Sequence, residues 1–298
     1  MDKKIIGHMM AFFVSLVWGV TFVSTKVLLE YYPPIDIMIL RFFLAYIILI
    51  LLYPQFHKPT SLKDEFNYFL SGVTGVTLYF VFENTALKLS TASNVGLILA
   101  AVPLVVAIMT SFFSDEHLHR NMILGFLIAI SGVSLVLFNG RVILHLNPIG
   151  DLYALICCFF WGVYSLTIKN MDINKSNIYN TRKIFSYGLI TSLLYRIFQG
   201  PFSASSLLNK DVYLNLIFLA IFASALCFIF YNEAIKRIGS ITTSNYLYLM
   251  PLFTIIASSF FLKERINILM IIGCILIIIG TYVSDRGFKL KKADKNEK

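Results

Sequence analysis

Residues 84–116 read NTALKLSTASNVGLILAAVPLVVAIMTSFFSDE, and residues 232–264 read NEAIKRIGSITTSNYLYLMPLFTIIASSFFLKE. At a shift of 148 residues, Asn84, Ala86, Lys88, Pro103, Ser111, Phe112, Phe113 and Glu116 recur as Asn232, Ala234, Lys236, Pro251, Ser259, Phe260, Phe261 and Glu264. The match runs on: Gly125 and Gly132 return as Gly273 and Gly280. Nearer the start, Trp18, Gly19, Val20 and Lys26 reappear at the same internal spacing as Trp161, Gly162, Val163 and Lys169. Self-similarity of this extent marks a duplicated unit. Its register has one flaw, since Thr91, Ser93 and Asn94 resemble Thr242, Ser244 and Asn245 at a shift of 151 instead.

The duplicated unit is a membrane unit. Apolar residues make up 58% of the 298-residue chain and charged ones only 14%, outside the range of water-soluble domains. Apolar runs of about 18 residues or more, enough to cross a hydrocarbon core as a helix, recur from end to end. They predict helices near 8–29, 35–53, 66–87, 92–113, 121–138, 150–169, 180–199, 212–234, 241–262 and 266–284. Clusters of Pro, Gly and Asn punctuate the runs, as expected where irregular backbone is excluded from lipid. Short connections leave no room for a separate soluble catalytic domain.

The sequence therefore predicts an all-α integral membrane protein of ten transmembrane helices, built from a first five-helix unit at 1–140 and a second at 141–285, with a basic tail at 286–298. Because five is odd, the second unit must enter the bilayer inverted. Two inverted halves can exchange conformations and open one shared midplane site to either side in turn.

The formal charge of +9 marks topology rather than nucleic-acid binding. With the amino terminus inside, most Lys and Arg, including Lys3, Lys4, Lys58, Lys63, Arg120, Arg182, Lys183 and those of the tail, fall on the inner side. The positive-inside rule then places both termini in the cytoplasm and the protein in the cytoplasmic membrane, with the tail against anionic headgroups. The first apolar run is too long for a secretory leader, lacks a small-residue cleavage site, and has a counterpart later in the chain. Cys157, Cys158, Cys227 and Cys274 lie inside apolar runs without paired CxxC spacing, so neither disulfides nor a zinc site is expected.

Both halves resemble the EamA-type drug/metabolite transporter superfamily. The resemblance rests on the Trp and Gly of the first helix in each half, on Arg41 and Arg182 in the next, on Ala86-Leu87-Lys88 and Ala234-Ile235-Lys236, and on the Pro-to-Glu pairs. It spans roughly residues 8–285 and implies a ten-helix fold with a central cavity and export of metabolites, amino acids or toxic compounds.

Ionisable and polar groups inside apolar spans are the functional candidates. Glu83 sits among Tyr79, Phe80, Phe82 and Asn84, whereas the equivalent position of the second half is Tyr231. It reads either as a proton-sensitive carboxylate coupling transport to a proton gradient, or as a carboxylate paired with Lys26, Arg41 or Lys88; the second reading is preferred. Trp18 and Trp161 are candidate cavity walls or close-packed rings. The amides Asn84, Asn94, Asn232 and Asn245, with Tyr79, Tyr231 and Tyr246, could orient a polar ligand or tie helices together. Pro103 and Pro251, inside the fourth and ninth helices, are candidate hinges or gates. Glu116 and Glu264 read as interfacial charges, with a gating ion pair as the alternative. Asp115, Glu116, His117 and His119 lack a recognisable ligand spacing, so no metal and no cofactor is expected.

No P-loop, dinucleotide fingerprint or nucleophile elbow is present, which counts against an ATP-driven pump and against an enzyme. The leading expectation is secondary transport, with export of small polar or amphipathic metabolites such as amino acids. Expected partners are a small-molecule substrate and the bilayer, with no nucleic acid and a monomer possible. The rivals are a membrane receptor or assembly factor on a transporter scaffold and an intramembrane enzyme.

Overall fold

The structure is a computed structural model that describes residues 2–59, 61–89, 95, 98–114, 116–117, 119–138, 147–169, 171, 175–198, 209–261 and 268–286. Among these residues all regular structure is helical. The elements are α1 (Lys3–Leu29), α2 (Pro34–Leu52), α3 (Leu62–Gly72), α4 (Tyr79–Leu89), α5 (Val102–Phe113), α6 (Arg120–Phe138), α7 (Pro148–Lys169), α8 (Asn177–Ile197), α9 (Lys210–Phe218), α10 (Cys227–Ile238), α11 (Ser240–Asn245), α12 (Met250–Phe261) and α13 (Ile268–Arg286). A π-helical segment, Val73–Leu78, joins α3 to α4; a second, Leu219–Leu226, joins α9 to α10; a 3₁₀ turn, Tyr246–Leu249, joins α11 to α12.

Local chemistry sets the helix starts. Asp2 caps α1 by accepting from the Lys4 amide, Ser61 caps α3 through Asp64, and Asn209 caps α9 through Asp211. Pro34 and Pro148 occupy first-turn positions, where a missing donor costs nothing. Gly239, with φ at 86°, makes the reversal between α10 and α11 that side-chain-bearing residues rarely adopt.

Four stretches are long and apolar enough to cross a bilayer: Lys3–Thr21, Pro34–Leu52, Pro148–Lys169 and Lys210–Ile238. Val102–Phe113, Arg120–Val136 and Ile268–Ser284 are shorter apolar helices. Across the helices the outward faces carry large exposed apolar side chains, among them Phe112, Leu127, Ile197, Phe260 and Ile275. Exposed Leu, Ile and Phe around a bundle whose interior is also apolar define a protein solvated by lipid. The chain is a multi-pass membrane protein.

Polar contacts sort the helix ends into two groups. At the near end, where α1 begins, the guanidinium of Arg182 at the start of α8 donates to the carbonyls of Tyr53 and Gln55 just after α2. Lys183 there pairs with Glu65 of α3. Lys169, closing α7, pairs with Glu116 at 3.0 Å. At the far end, Asp36 in the first turn of α2 pairs with Arg196 in the last turn of α8, both buried. Helices α6 and α13 pack most closely of all, with glycines in contact. A Cβ on Gly125 would stand 2.6 Å from the Gly280 carbonyl, and one on Gly132 would stand 2.5 Å from that of Gly273.

Candidate functional site

A cluster of aromatic rings fills the middle of the bundle. Trp18 on α1 and Trp161 on α7 meet edge to face with centroids 5.4 Å apart, and Tyr231 on α10 lies 5.4 Å from each. Tyr79, at the start of α4, completes the group 5.0 Å from Trp161, and Phe228 packs below Trp18 at 5.7 Å. Edge-to-face contacts of this kind lock ring orientation as well as burying area. The ring polar atoms are all engaged. Trp18 Nε1 donates to the Ala223 carbonyl in the second π segment at 2.9 Å, and Trp161 Nε1 donates to Tyr231 Oη at 2.9 Å. Tyr164 Oη donates to Asn232 Oδ1 at 2.6 Å, and Asn232 Nδ2 donates to Thr181 Oγ1 at 3.2 Å.

Two charged groups border this cluster. Glu83, partly buried one turn after Tyr79, accepts from Tyr79 Oη at 3.3 Å. Arg41 on α2 is 7% exposed; its Nε donates to Ser224 Oγ in the second π segment at 2.9 Å. Its guanidinium carbon stands 5.2 Å from the Phe42 ring and 5.3 Å from the Phe80 ring, within cation–π range. From sequence Arg41 stands as a residue of the family resemblance and as one possible partner for Glu83, although an arginine inside an apolar run is signal enough to make it a site candidate itself. Ser224 carried no such signal.

One family model matches this chain twice, over residues 5–138 and 148–284: the EamA-like transporter family. The chain belongs to that family. An uncharacterized transporter of Bacillus subtilis, YyaM, is 25% identical over 95% of this chain and 94% of its own length. A probable amino-acid metabolite efflux pump of Escherichia coli is likewise 25% identical, over 96% of this chain and 97% of its own. A crystal structure with 20% sequence identity superposes with a TM-score of 0.78, covering 97% of this chain and 99% of the other, which shows the fold. The protein is thus a membrane transporter by family, and its relatives' names are those of transporters, not enzymes.

In this EamA-like transporter, five of the expected cavity residues, Trp18, Tyr79, Trp161, Tyr231 and Asn232, converge on the central cluster, with Glu83 beside it. They are closely packed: Trp18 is 8%, Trp161 4% and Tyr231 0% exposed, so both tryptophans sit as packed rings. Asn245 and Tyr246 lie apart, near α1. Tyr246 Oη and His8 Nδ1 are 2.9 Å apart and line an apolar surface cavity of about 490 Å³ with Phe12, Phe13 and Leu16. Asn245 is buried with Nδ2 unpartnered. Asn94 and the side chain of Asn84 fall outside the described residues, as do the side chains of Lys26 and Lys88 and all of Glu264.

Pro103 and Pro251 stand where helices begin rather than within them. Pro103 is the second residue of α5, which follows a turn closed by the Ala101 amide on the Ile98 carbonyl, and Pro251 is the second residue of α12, after the 3₁₀ turn. The backbone break precedes each proline, where the lost donor is harmless.

Glu116 of the transporter is more engaged than an interfacial charge. Its carboxylate accepts from Lys169 Nζ at 3.0 Å and from the Ser240 and Ile241 amides at 3.1 Å each. It thereby satisfies the first donors of α11 and joins the α5–α6 connection to α7 and α11. A Cβ on Gly239 would lie 2.9 Å from Glu116 Oε2, so the glycine serves this contact as well as the turn.

Proposed function

We propose that this protein is a secondary transporter that exports small polar or amphipathic metabolites, such as amino acids, across the cytoplasmic membrane by alternating access. In this reading ten transmembrane helices form two inverted five-helix units, at 1–140 and 141–285, and the near end with both termini faces the cytoplasm.

One observation carries the proposal: the contact between α6 and α13 maps onto itself when residues 148 apart are exchanged. Gly125 faces Gly280, and the exchange turns that contact into Gly273 facing Gly132, which is also present. Equivalent helices meeting antiparallel in this way are what a twofold axis in the membrane plane produces, and such an axis is the geometric basis of alternating access. The π segments support the same reading, since Val73–Leu78 moved by 148 falls within Leu219–Leu226. The export direction leans on the E. coli relative's name.

The test compares the medium of cells overproducing the intact chain with that of cells overproducing Trp161→Ala at equal membrane abundance, by untargeted mass spectrometry. A solute class released faster by the intact chain, and moved again by the purified protein in liposomes, supports export. No release and no liposome flux of those compounds overturns it.

A further inference from the structure

The central cluster is bordered by two charges, Arg41 and Glu83, that make no ion pair among the described residues. Arg41 lies seven residues into α2 from the far end and Glu83 six residues before the far end of α4, so both sit about 10 Å deep at 1.5 Å per residue. At that depth an ionised group needs an opposite charge or a dense set of hydrogen bonds. Asp36 and Arg196 have each other. Arg41 and Glu83 are within electrostatic reach of one another, yet among the described residues neither makes an ion pair within 4.0 Å. Among the described residues, Arg41 Nε donates to Ser224 and the other four donors of Arg41 meet no protein acceptor, while Glu83 receives one hydrogen bond, from Tyr79.

The equivalent residues of the second half make the asymmetry plain. Arg182, the counterpart of Arg41, uses its terminal nitrogens on the Tyr53 and Gln55 carbonyls, closing the near end. Tyr231, in the place of Glu83, accepts from Trp161 Nε1 in the ring cluster. The scaffold therefore needs an arginine at the near end and no carboxylate at this height, and the far-half charges answer to something else. Arg41 stands against the Phe42 and Phe80 rings, and Phe80 packs against Tyr79, the hydrogen-bond partner of Glu83, with centroids 5.1 Å apart.

We propose that Arg41 and Glu83 form the charged pole of the transport site, Arg41 taking the carboxylate and Glu83 the ammonium of a zwitterionic substrate, with Ser224 and Tyr79 as positioning residues. The proposal rests on the transport reading above and narrows its substrate to molecules bearing both charges. A planar guanidinium held by its Nε leaves the terminal nitrogens free to grip a carboxylate through two parallel bonds. The separation of the two charges is what admits a ligand carrying the complementary pair. Tyr79 Oη, bonded to Glu83, keeps the carboxylate turned toward the rings.

The experiment uses the full chain in liposomes, loaded with an equimolar panel of phenylalanine, phenylalanine amide, 3-phenylpropionate and phenethylamine together with leucine, threonine and lysine, and reads efflux of each. Solutes from the release screen are run alongside. The zwitterions are expected to leave faster than the single-charge analogues, by on the order of tenfold or more, because a site built for a polar group rejects a ligand that lacks it. Arg41→Gln should erase the preference over the amide while Arg41→Lys restores part of it, and Glu83→Gln should erase the preference over 3-phenylpropionate. Size-exclusion profiles and thermal unfolding show that each variant is folded. Flux without a zwitterion preference overturns this assignment and leaves transport standing. An Arg41→Gln/Glu83→Gln double variant that regains the flux lost in both single variants also overturns it, since that is the behaviour of a purely mutual ion pair. If no solute moves, the transport reading falls and this assignment with it.

Discussion

At the residue scale, charges buried at helix ends do the holding. Asp36 is 0% and Arg196 7% exposed, and each stands where the helix dipole favours its sign, the acid in a first turn and the base in a last one. Removing one partner leaves the other charge buried without its ion pair. Asp36→Asn should therefore lower stability by about 3–5 kcal/mol, read as thermal unfolding in detergent, and Asp36→Asn combined with Arg196→Met should recover part of the loss. Glu65, at the near-end start of α3, is a pH-dependent case. Burial pushes its carboxyl up, but hydrogen bonds from Lys183 and Tyr187 and the nearby Lys175 ammonium outweigh that and hold it below the usual carboxylate value. A depressed value in the folded state means a stabilisation fully present above the unfolded carboxylate pKa and lost as pH falls through the folded one. Glu65→Gln should accordingly unfold at a lower temperature than the parent at pH 7, and the gap should close on acidification through the carboxylate range. Residues of this kind were half legible. Charge in an apolar run flagged Glu83 but was not applied to Arg41, and the order of the motifs flagged both tryptophans. Nothing in the sequence announces that Glu116 accepts two backbone amides of α11, because that contact joins positions 124 and 125 residues apart.

At the element scale, the predicted apolar runs other than 92–113 coincide with described helices to within a few residues, since lipid leaves the chain few alternatives to helix. The predicted run 92–113 is described as a continuous helix from Val102. The π segments were not legible. They lie in runs that look uniformly helical, and the only trace is a richness in small residues, Thr74, Gly75 and Thr77 in one and Ala220, Ala223, Ser224 and Ala225 in the other. A π turn opens the backbone ladder, and here the Ala223 carbonyl takes the Trp18 indole while Ser224 takes Arg41, so the irregular segment is what reaches the central cluster. The glycine contact of α6 and α13 yields a sharper expectation. A methyl on Gly132 would meet the Gly273 carbonyl at 2.5 Å, backbone against backbone, so relief requires the helices to part. Gly132→Ala should cost about 1–3 kcal/mol in detergent unfolding, and Gly273→Ala a similar amount, while Ile275→Ala on the exposed face of α13 should change little.

At the scale of the whole molecule, the two ends differ in what closes them. The far end is tied by the Asp36–Arg196 pair and by Asn209 donating to Tyr31 Oη at 3.3 Å. The near end carries three separate ties, Arg182 on the carbonyls after α2, Lys183 on Glu65, and Glu116 on Lys169 and α11. Lys3, Lys4, Lys58, Lys63 and Arg120 are exposed at that same end, the charge that retention in the cytoplasm requires. If the near end is cytoplasmic, a membrane-impermeant maleimide applied to intact cells should label Asn209→Cys and spare Lys63→Cys until the membrane is opened, in a background with all four native cysteines replaced. The reverse pattern would turn the molecule over and make the closed end extracellular. Of the three near-end ties, the Glu116 contact alone bridges from the first half to both a helix end and a helix start of the second, so it should weigh most on which side the site opens. Glu116→Ala strips α11 of its acceptor and Lys169 of its partner, and should raise maleimide labelling of a cysteine placed at Ser165, buried beside Trp161 and Ser240, when reagent is supplied to inside-out vesicles. Glu116→Gln should give a smaller rise, because its amide oxygen can still accept from a backbone amide but no longer attracts the lysine. Equal labelling in parent and Glu116→Ala would reduce this contact to a structural tie and leave the gate to the other two.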